Sequence, residues 1–242
     1  MDWPYPRVAA HRGAGRLAPE NTLAALRAGA ALGCTMFEFD VKLSRDAVPV
    51  LMHDETVERT TDGHGRVAEL AFDQLARLDA GGWHSARYAG EPVPALAAVA
   101  RWLMRNAAMA DIEIKPCPGR EAATGEVVAL EARRLWVGGA VRPLLSSFSA
   151  VALERACAVA PEFPRLQLFE SLPPDWAARC TALGCIAVGV WHAALSEQAI
   201  TQAHHCGLRV LAYTVDDPAR ADELFGWGLD TLVTDAVDRI AP

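Results

Sequence analysis

Glu38 and Asp40 stand two residues apart in the run MFEFDV, with Phe37, Phe39 and Val41 between and beside them. Strand side chains alternate between faces, so this spacing puts both carboxylates on one wall and the apolar residues on the other. Thirteen residues after Asp40 the run VPVLMH delivers His53, with Asp54 next to it. His11 and Arg12 precede Gly13, and Glu113 and Lys115 alternate with Ile112 and Ile114 in the run DIEIKP. Three carboxylates from two strands suit a hard divalent cation. No closely spaced His or Cys pair accompanies them, so Mg²⁺ or Ca²⁺ is favoured over zinc. Mg²⁺ is the first choice, with Ca²⁺ and Mn²⁺ as alternatives. His11 and His53 remain for proton transfer. Arg12 and Lys115 add positive charge to a site that already holds a cation, which points to a phosphate group as substrate. An imidazole, a guanidinium and the backbone N–H groups of a glycine loop before a helix can all face one phosphate.

Each group also has a plainer reading. Met36 to Asp54 could be a surface hairpin with solvated acids and turn residues Asp46 and Pro49. His11 and Arg12 could belong to an ordinary capped loop, and Glu113 and Lys115 could be a structural ion pair. Charges at every inward position of a core strand are nevertheless costly unless they are paired or bind an ion. The combination is therefore far more specific than any member. Cys117 lies nearby, but an oxygen-rich site has little use for a thiol.

The elements that must position these residues alternate along the chain. Arg7 to Ala10 reads as a strand, followed by a glycine-rich loop and a helix that Asn21 or Thr22 caps and Gly33 ends. After Ala95 a helix-then-strand beat runs to Asp235. This pattern predicts a (β/α)8 TIM barrel, with an open doubly wound sheet as the alternative. Nine strand candidates are present, so one is a hairpin arm or a short terminal piece. In a barrel all strand C-termini open onto one face, and His11, Arg12, Glu38, Asp40, His53, Glu113 and Lys115 all fall at such ends. If Asp40 and His53 share one end of a parallel sheet, the connection runs about six residues out and six back at ~3.3 Å each, leaving no room for a helix. The segment at about 54–95 is too long for a strand-to-helix loop and reads as a small insertion after the third strand. It carries a short helix near Phe72 to Leu78, together with Trp83, His84 and Tyr88. It either overhangs the site and shapes a pocket for a leaving group, or only covers apolar surface around Phe72, Leu75 and Leu78.

The chain has 242 residues, 52% of them hydrophobic, which suffices for one packed core, so residues 1–242 are expected to form a single domain. A net charge of -7 leaves no broad basic surface for nucleic acid or anionic lipid. The first residues lack the basic and apolar regions of a signal peptide, and no stretch reaches the ~18 apolar residues of a membrane span. The six cysteines are scattered without a CxxC pair and read as buried thiols of a reducing compartment. The expectation is a cytoplasmic small-molecule protein without membrane insertion. Oligomeric state is not legible.

HRG, PENT at 19–22, EFDVKLSRD, VPVLMHDETVERTTDG, EPVPAL, DIEIKP, LLSSF, AYTVDD and DTLVTD together resemble the glycerophosphodiester phosphodiesterase family, in order and spacing over nearly the whole chain. The similarity is greatest to the cytoplasmic bacterial enzymes. The resemblance implies a (β/α)8 barrel with an insertion after the strand ending in His-Asp, and metal-dependent hydrolysis of glycerophosphodiesters to glycerol 3-phosphate and an alcohol. It implies His11 and His53 as the acid/base pair, Glu38, Asp40 and Glu113 as metal ligands, and Arg12 and Lys115 as phosphate contacts. Two positions depart from the family pattern. Tyr213 stands where many members carry tryptophan, and Asp111 where asparagine is frequent; the latter is expected at a strand's start, with little effect. Rival readings are a phosphate-binding or regulatory protein without turnover, and the related barrel phosphodiesterases that cleave phosphoinositides or sphingomyelin at membranes. Binding alone needs no pair of histidines, and no basic apolar stripe marks a membrane surface.

Overall fold

Met36–Leu43 is buried along its whole length, on both faces, as a strand can be only inside a layered sheet. The computed structural model of this chain describes residues 3–240. β1 (Val8–Ala10) is followed by α1 (Leu23–Ala31), β2 (Met36–Leu43) and β3 (Pro49–Leu51). The insertion then contributes α2 (Phe72–Leu75). The remaining elements alternate: α3 (Leu96–Arg105), β4 (Met109–Ile114), α4 (Glu121–Leu135), β5 (Leu144–Ser147), α5 (Ala150–Val159), β6 (Arg165–Phe169), α6 (Trp176–Ala182), β7 (Ala187–Trp191), α7 (Glu197–His205), β8 (Arg209–Tyr213), α8 (Pro218–Gly226) and β9 (Thr231–Thr234). The helices start where the sequence offers side-chain caps. Thr22, Ser149 and Ser196 each accept the backbone N–H three residues on.

The strands close into a ring. Its order is β1-β9-β8-β7-β6-β5-β4-β2, and β1 pairs with β2, which makes a (β/α)8 barrel and excludes the open sheet. The ninth candidate, β3, lies outside the ring. It is antiparallel to β2, with Val41 opposite Leu51 and Leu43 opposite Pro49. The third strand is thus the hairpin arm, and the long excursion out and back expected for two parallel strands does not occur. β2 overshoots the barrel rim and turns at Ser44, whose hydroxyl donates to Asp46 and accepts the Val48 N–H. The chain then descends again to His53. A thirteen-residue spacing fits either path, so the spacing alone could not choose.

Two apolar layers hold the ring. Outside, Phe37, Phe39, Val41, Ile112 and Ile114 pack against Leu96, Val99, Leu103 and Val128 of the helices. Trp136 joins this core, and Trp102 meets Phe37 edge-on at 5.7 Å. Inside, Ala9, Met36, Leu144, Leu166, Leu168, Leu211 and Val233 form a floor above Tyr5. The register of β2 on β4 stacks the rows above it: Met36 lies opposite Met109, Glu38 opposite Asp111 and Asp40 opposite Glu113. The barrel interior therefore changes from thioethers to carboxylates within two residues.

The insertion has a core larger than the three residues expected and shared with the β3 run before it: Val50 and Met52 join Val57, Val67, Leu75, Ala80 and Val93, with Phe72 and Leu78 against them. It also reaches the barrel mouth, where the ring of His84 sits 3.0 Å from the carbonyl oxygen of Arg16. The cysteine expectation needs correction. Cys34, Cys117, Cys180 and Cys185 are buried, but Cys157 is half-buried and Cys206 exposed; all six are free. Among the described residues no helix is long and apolar enough to cross a membrane.

The helix pair α4 and α5 packs through Gly125. A Cβ at that position would stand 2.1 Å from the carbonyl oxygen of Ala152, which belongs to backbone and cannot rotate away. Gly125→Ala is expected to cost about 1–3 kcal/mol by forcing the helices apart. That corresponds to a melting temperature lower by roughly 2–4 °C per kcal/mol. A thermal melt showing unchanged or raised stability would contradict this packing.

Candidate active site

The acids sit where the register puts them. Glu38, Asp40 and Glu113 each offer a carboxylate oxygen within 4.8 Å of the others, with Glu38 and Asp40 buried. Such crowding is costly, and the chain meets it with cations and donors. Lys115 Nζ is 2.7 Å from Glu113 and 3.2 Å from Asp40. Arg12 Nε is 3.3 Å from Asp40, and its backbone N–H donates to Glu38 at 3.1 Å. Asn21 grips Asp40 twice, its amide donating to the carboxylate at 2.8 Å and its oxygen accepting the Asp40 N–H at 3.1 Å. Arg12 and Asn21 hold φ values of 49° and 57°, a left-handed conformation that costs about 1–3 kcal/mol in a residue with a side chain. That strain turns the loop's donors onto the acids. Thr22, not Asn21, caps the helix.

The carboxylates consequently differ. Burial alone would raise Asp40, but Lys115 and Arg12 outweigh it and hold this group well below the usual carboxylate range. Glu38 is pushed well up by burial and by the charges of Asp40 and Glu113. Glu113 is raised by burial and Asp40. Asp111 corrects an expectation. It lies mid-strand, fully buried beneath Glu113, accepts the Ser146 hydroxyl at 2.6 Å, and is pushed up to about 7 by burial.

Each histidine stands on a carboxylate. His11 Nδ1 is 2.6 Å from Asp235, and His53 Nδ1 is 2.6 Å from Asp54. Asp54 is brought down to about 2, first by hydrogen bonds from Arg59. Asp235 is also lowered: burial raises it, but the His11 hydrogen bond and the charges of His11, Arg12 and Arg16 outweigh that. An ionised carboxylate only accepts, so both Nδ1 atoms carry protons and both Nε2 atoms are left for chemistry. His11 Nε2 lies 3.9 Å from Glu38 and accepts from Arg12 Nε at 3.2 Å. Burial lowers His53, and the charge of Asp40 only partly opposes this. Close packing at Gly15, where a Cβ would meet the Asp235 backbone at 2.2 Å, seats the loop after β1 directly on Asp235. A cavity lined by His11, Glu38, Glu113, Phe148 and Tyr213 opens over the acids. Beside it lies a second of about 210 Å³ between His11, Arg12, Glu20, Asp235 and the insertion's Trp83 and His84.

The sequence model of the glycerophosphoryl diester phosphodiesterase family matches residues 11–239. The chain belongs to this family. YhdW of Bacillus subtilis (strain 168) is 30% identical over 237 residues, 96% of each chain. A glycerophosphodiester phosphodiesterase of Caldanaerobacter subterraneus subsp. tengcongensis is 29% identical over 94% of this chain and 93% of its own. An Oleispira antarctica phosphodiesterase, solved in complex with the product sn-glycerol-3-phosphate, superposes with a TM-score of 0.91 at 33% identity, covering 97% of this chain and 95% of that one. This glycerophosphodiester phosphodiesterase is thus a phosphoric diester hydrolase on a (β/α)8 barrel.

In this phosphodiesterase all seven residues expected at the site come together on one face of the barrel. Their partners complete the site: Asp235, Asp54, Asn21, Glu20 and Asp111, none of which the sequence assigned to it. Asp235 directly follows β9, so its place at the barrel mouth was open to the same rule, but its pairing with His11, 224 residues away, was not. Gln167 spends its amide on the carbonyls of Ser147, Phe148 and Leu168. Tyr213 lines the mouth, its hydroxyl donating to the carbonyl oxygen of Phe169. His192 lies outside both cavities, and its buried Nδ1 has no hydrogen-bond partner.

The raised Asp111 gives a pH signature in chelated protein. The fold binds a proton there that the unfolded chain, with an ordinary carboxyl near 3.8, does not. The stability tied to that proton is fully present below about pH 4 and lost as pH rises through about 7. Asp111→Asn is expected to match the wild type near pH 4 and exceed its stability near pH 8, by on the order of a few kcal/mol. Denaturant titrations at both pH values check this. Parallel curves for the two proteins would refute it.

Proposed function

We propose that this enzyme hydrolyses deacylated phospholipid head groups, such as glycerophosphocholine and glycerophosphoethanolamine, to glycerol 3-phosphate and an alcohol, with His11 and His53 exchanging the protons. The observation that carries the reading is the pair of histidines, each with Nδ1 on an ionised carboxylate, flanking a cluster of buried acids. The product bound to the Oleispira antarctica relative supports the same substrate class.

Glu38, Asp40 and Glu113 would hold one divalent cation. The fit is chemical: three oxygen donors, no thiol or imidazole among them, and a mutual repulsion that pushes Glu38 and Glu113 toward protonation. Mg²⁺ is the first candidate, and Ca²⁺ and Mn²⁺ are the alternatives. When bound, the ion supplies Lewis-acid polarisation of a phosphoryl oxygen and offsets the carboxylate charge. Arg12 and Lys115 already sit against these acids and present their remaining N–H groups to the phosphate. There they stabilise charge that grows on the non-bridging oxygens. One histidine, neutral, takes the proton of the attacking hydroxyl at Nε2, and the other, entering the step as imidazolium with a second proton on Nε2, delivers that proton to the departing alkoxide oxygen. One P–O bond forms and one breaks, and water is consumed. Asp235 and Asp54 keep the rings in the tautomer that leaves Nε2 available. The second cavity, bordered by Trp83 and His84, offers room for the departing alcohol.

Release of glycerol 3-phosphate from glycerophosphocholine is expected to vanish on chelation and to return with a divalent ion, Mg²⁺ first. His11→Ala and His53→Ala are each expected to lower turnover by at least ~10²-fold. Full turnover in either variant would remove the proton-transfer assignment. Failure of folded protein to act on any glycerophosphodiester with any ion would favour a binding protein.

A further inference from the structure

We infer that Arg59, a residue of the insertion, is a positioning residue that locks His53 and Arg12 into one frame by clamping Asp54 and Glu20 together. Arg59 Nε and Nη2 donate to the two oxygens of Asp54 at 2.5 and 3.0 Å. Nη1 and Nη2 donate to the two oxygens of Glu20 at 2.8 and 2.9 Å. The guanidinium thus forms two forks at once, using all three of its nitrogens. Each carboxylate passes the constraint on. Asp54 Oδ1, held by Arg59, accepts the proton of His53 Nδ1, and Glu20 Oε1, also held by Arg59, accepts from Arg12 Nη1 at 2.7 Å. From Arg12 the chain of contacts continues to Asp40 and to His11 Nε2. A single exposed side chain therefore connects both histidines to the acid cluster.

The clamp has a physical reason. Asp54 and Glu20 come from different loops and would repel each other, and each would be free to rotate. A swing of Asp54 turns the His53 ring with it; a swing of Glu20 releases Arg12. Misplacing reacting groups by about 1 Å can cost ~10²-fold in rate. A lysine could neutralise one carboxylate but could not fork to both. The role also explains why the insertion stays tied to the barrel mouth: it carries the only guanidinium, among the described residues, shared by these two loops.

The inference rests on the proposed hydrolysis, and two readouts separate them. In the glycerol 3-phosphate assay Arg59→Ala is expected to lose at least tenfold in kcat/KM, with its melting temperature close to wild type. Added guanidinium ion at millimolar concentration is expected to restore part of that loss, and Arg59→Lys is not. Arg77→Ala, which removes an exposed pair with Asp73 elsewhere in the insertion, is expected to change nothing. The second readout needs no turnover: the downfield proton NMR signal of the His53 Nδ1–H, assigned by its absence in His53→Gln, is expected to broaden or shift in Arg59→Ala. Wild-type kinetics in Arg59→Ala, or an unmoved His53 signal, would overturn the clamp. So would a loss of activity that follows loss of fold and ignores guanidinium. A wild type that hydrolyses nothing while Arg59→Ala still moves the His53 signal would refute the reaction and leave the clamp standing.

Discussion

Glu38, Asp40, Asp111 and Glu113 occupy adjacent positions on two paired strands inside a closed barrel, and the electrostatic cost of that arrangement shapes everything around it. Four acids on one wall cannot all be charged in a low-dielectric interior without compensation. The chain answers in three ways. Asp40 is fully compensated by Lys115, Arg12 and Asn21. Asp111 is left to a serine hydroxyl and gives up its charge readily, while Glu38 and Glu113, also pushed up by burial and by Asp40, take partial compensation from the Arg12 backbone N–H and from Lys115. The apolar floor of Met36, Leu166, Leu211 and Val233 below them keeps water from relieving the repulsion. The corner is therefore prepared for positive charge, whether the ammonium of Lys115 or a divalent ion.

Local backbone serves the same end. A strand that closes a barrel has no spare edge, so donors for the acids come from side chains in or next to neighbouring strands, Lys115 and Ser146, and from the loop after β1. Arg12 and Asn21 adopt left-handed conformations to supply them, and the Gly15 contact with Asp235 pulls the same loop across the last strand. Strain, ion pairing and close packing thus converge within eleven residues, from His11 to Asn21.

Much of the site was legible because strand alternation is a strong constraint. The two-residue spacings of Glu38 with Asp40 and of Glu113 with Lys115 put them on one wall, and the helix-strand beat implied a barrel face on which they meet. The direction of β3 was not legible, because thirteen residues from Asp40 to His53 suit a parallel return as well as a hairpin that overshoots. Asp111 was misjudged because its depth depends on where β4 begins, and strand ends are the least determined part of a sequence reading. Asp235 and Glu20 stayed hidden for another reason. Their partners lie 224 and 39 residues away, and local spacing carries no information about contacts that only barrel closure and the insertion's docking create.

The pairing of β1 with β9 has a consequence for the life of the polypeptide. His11 follows the first strand, but the acid that orients its ring follows β9. A nascent chain still emerging from the ribosome, even with seven strands in place, holds a histidine whose tautomer nothing dictates. Closure of the barrel by β9 brings that carboxylate to the ring. Chain fragments that lack β9 keep the ring of His11 but lose the carboxylate that orients it.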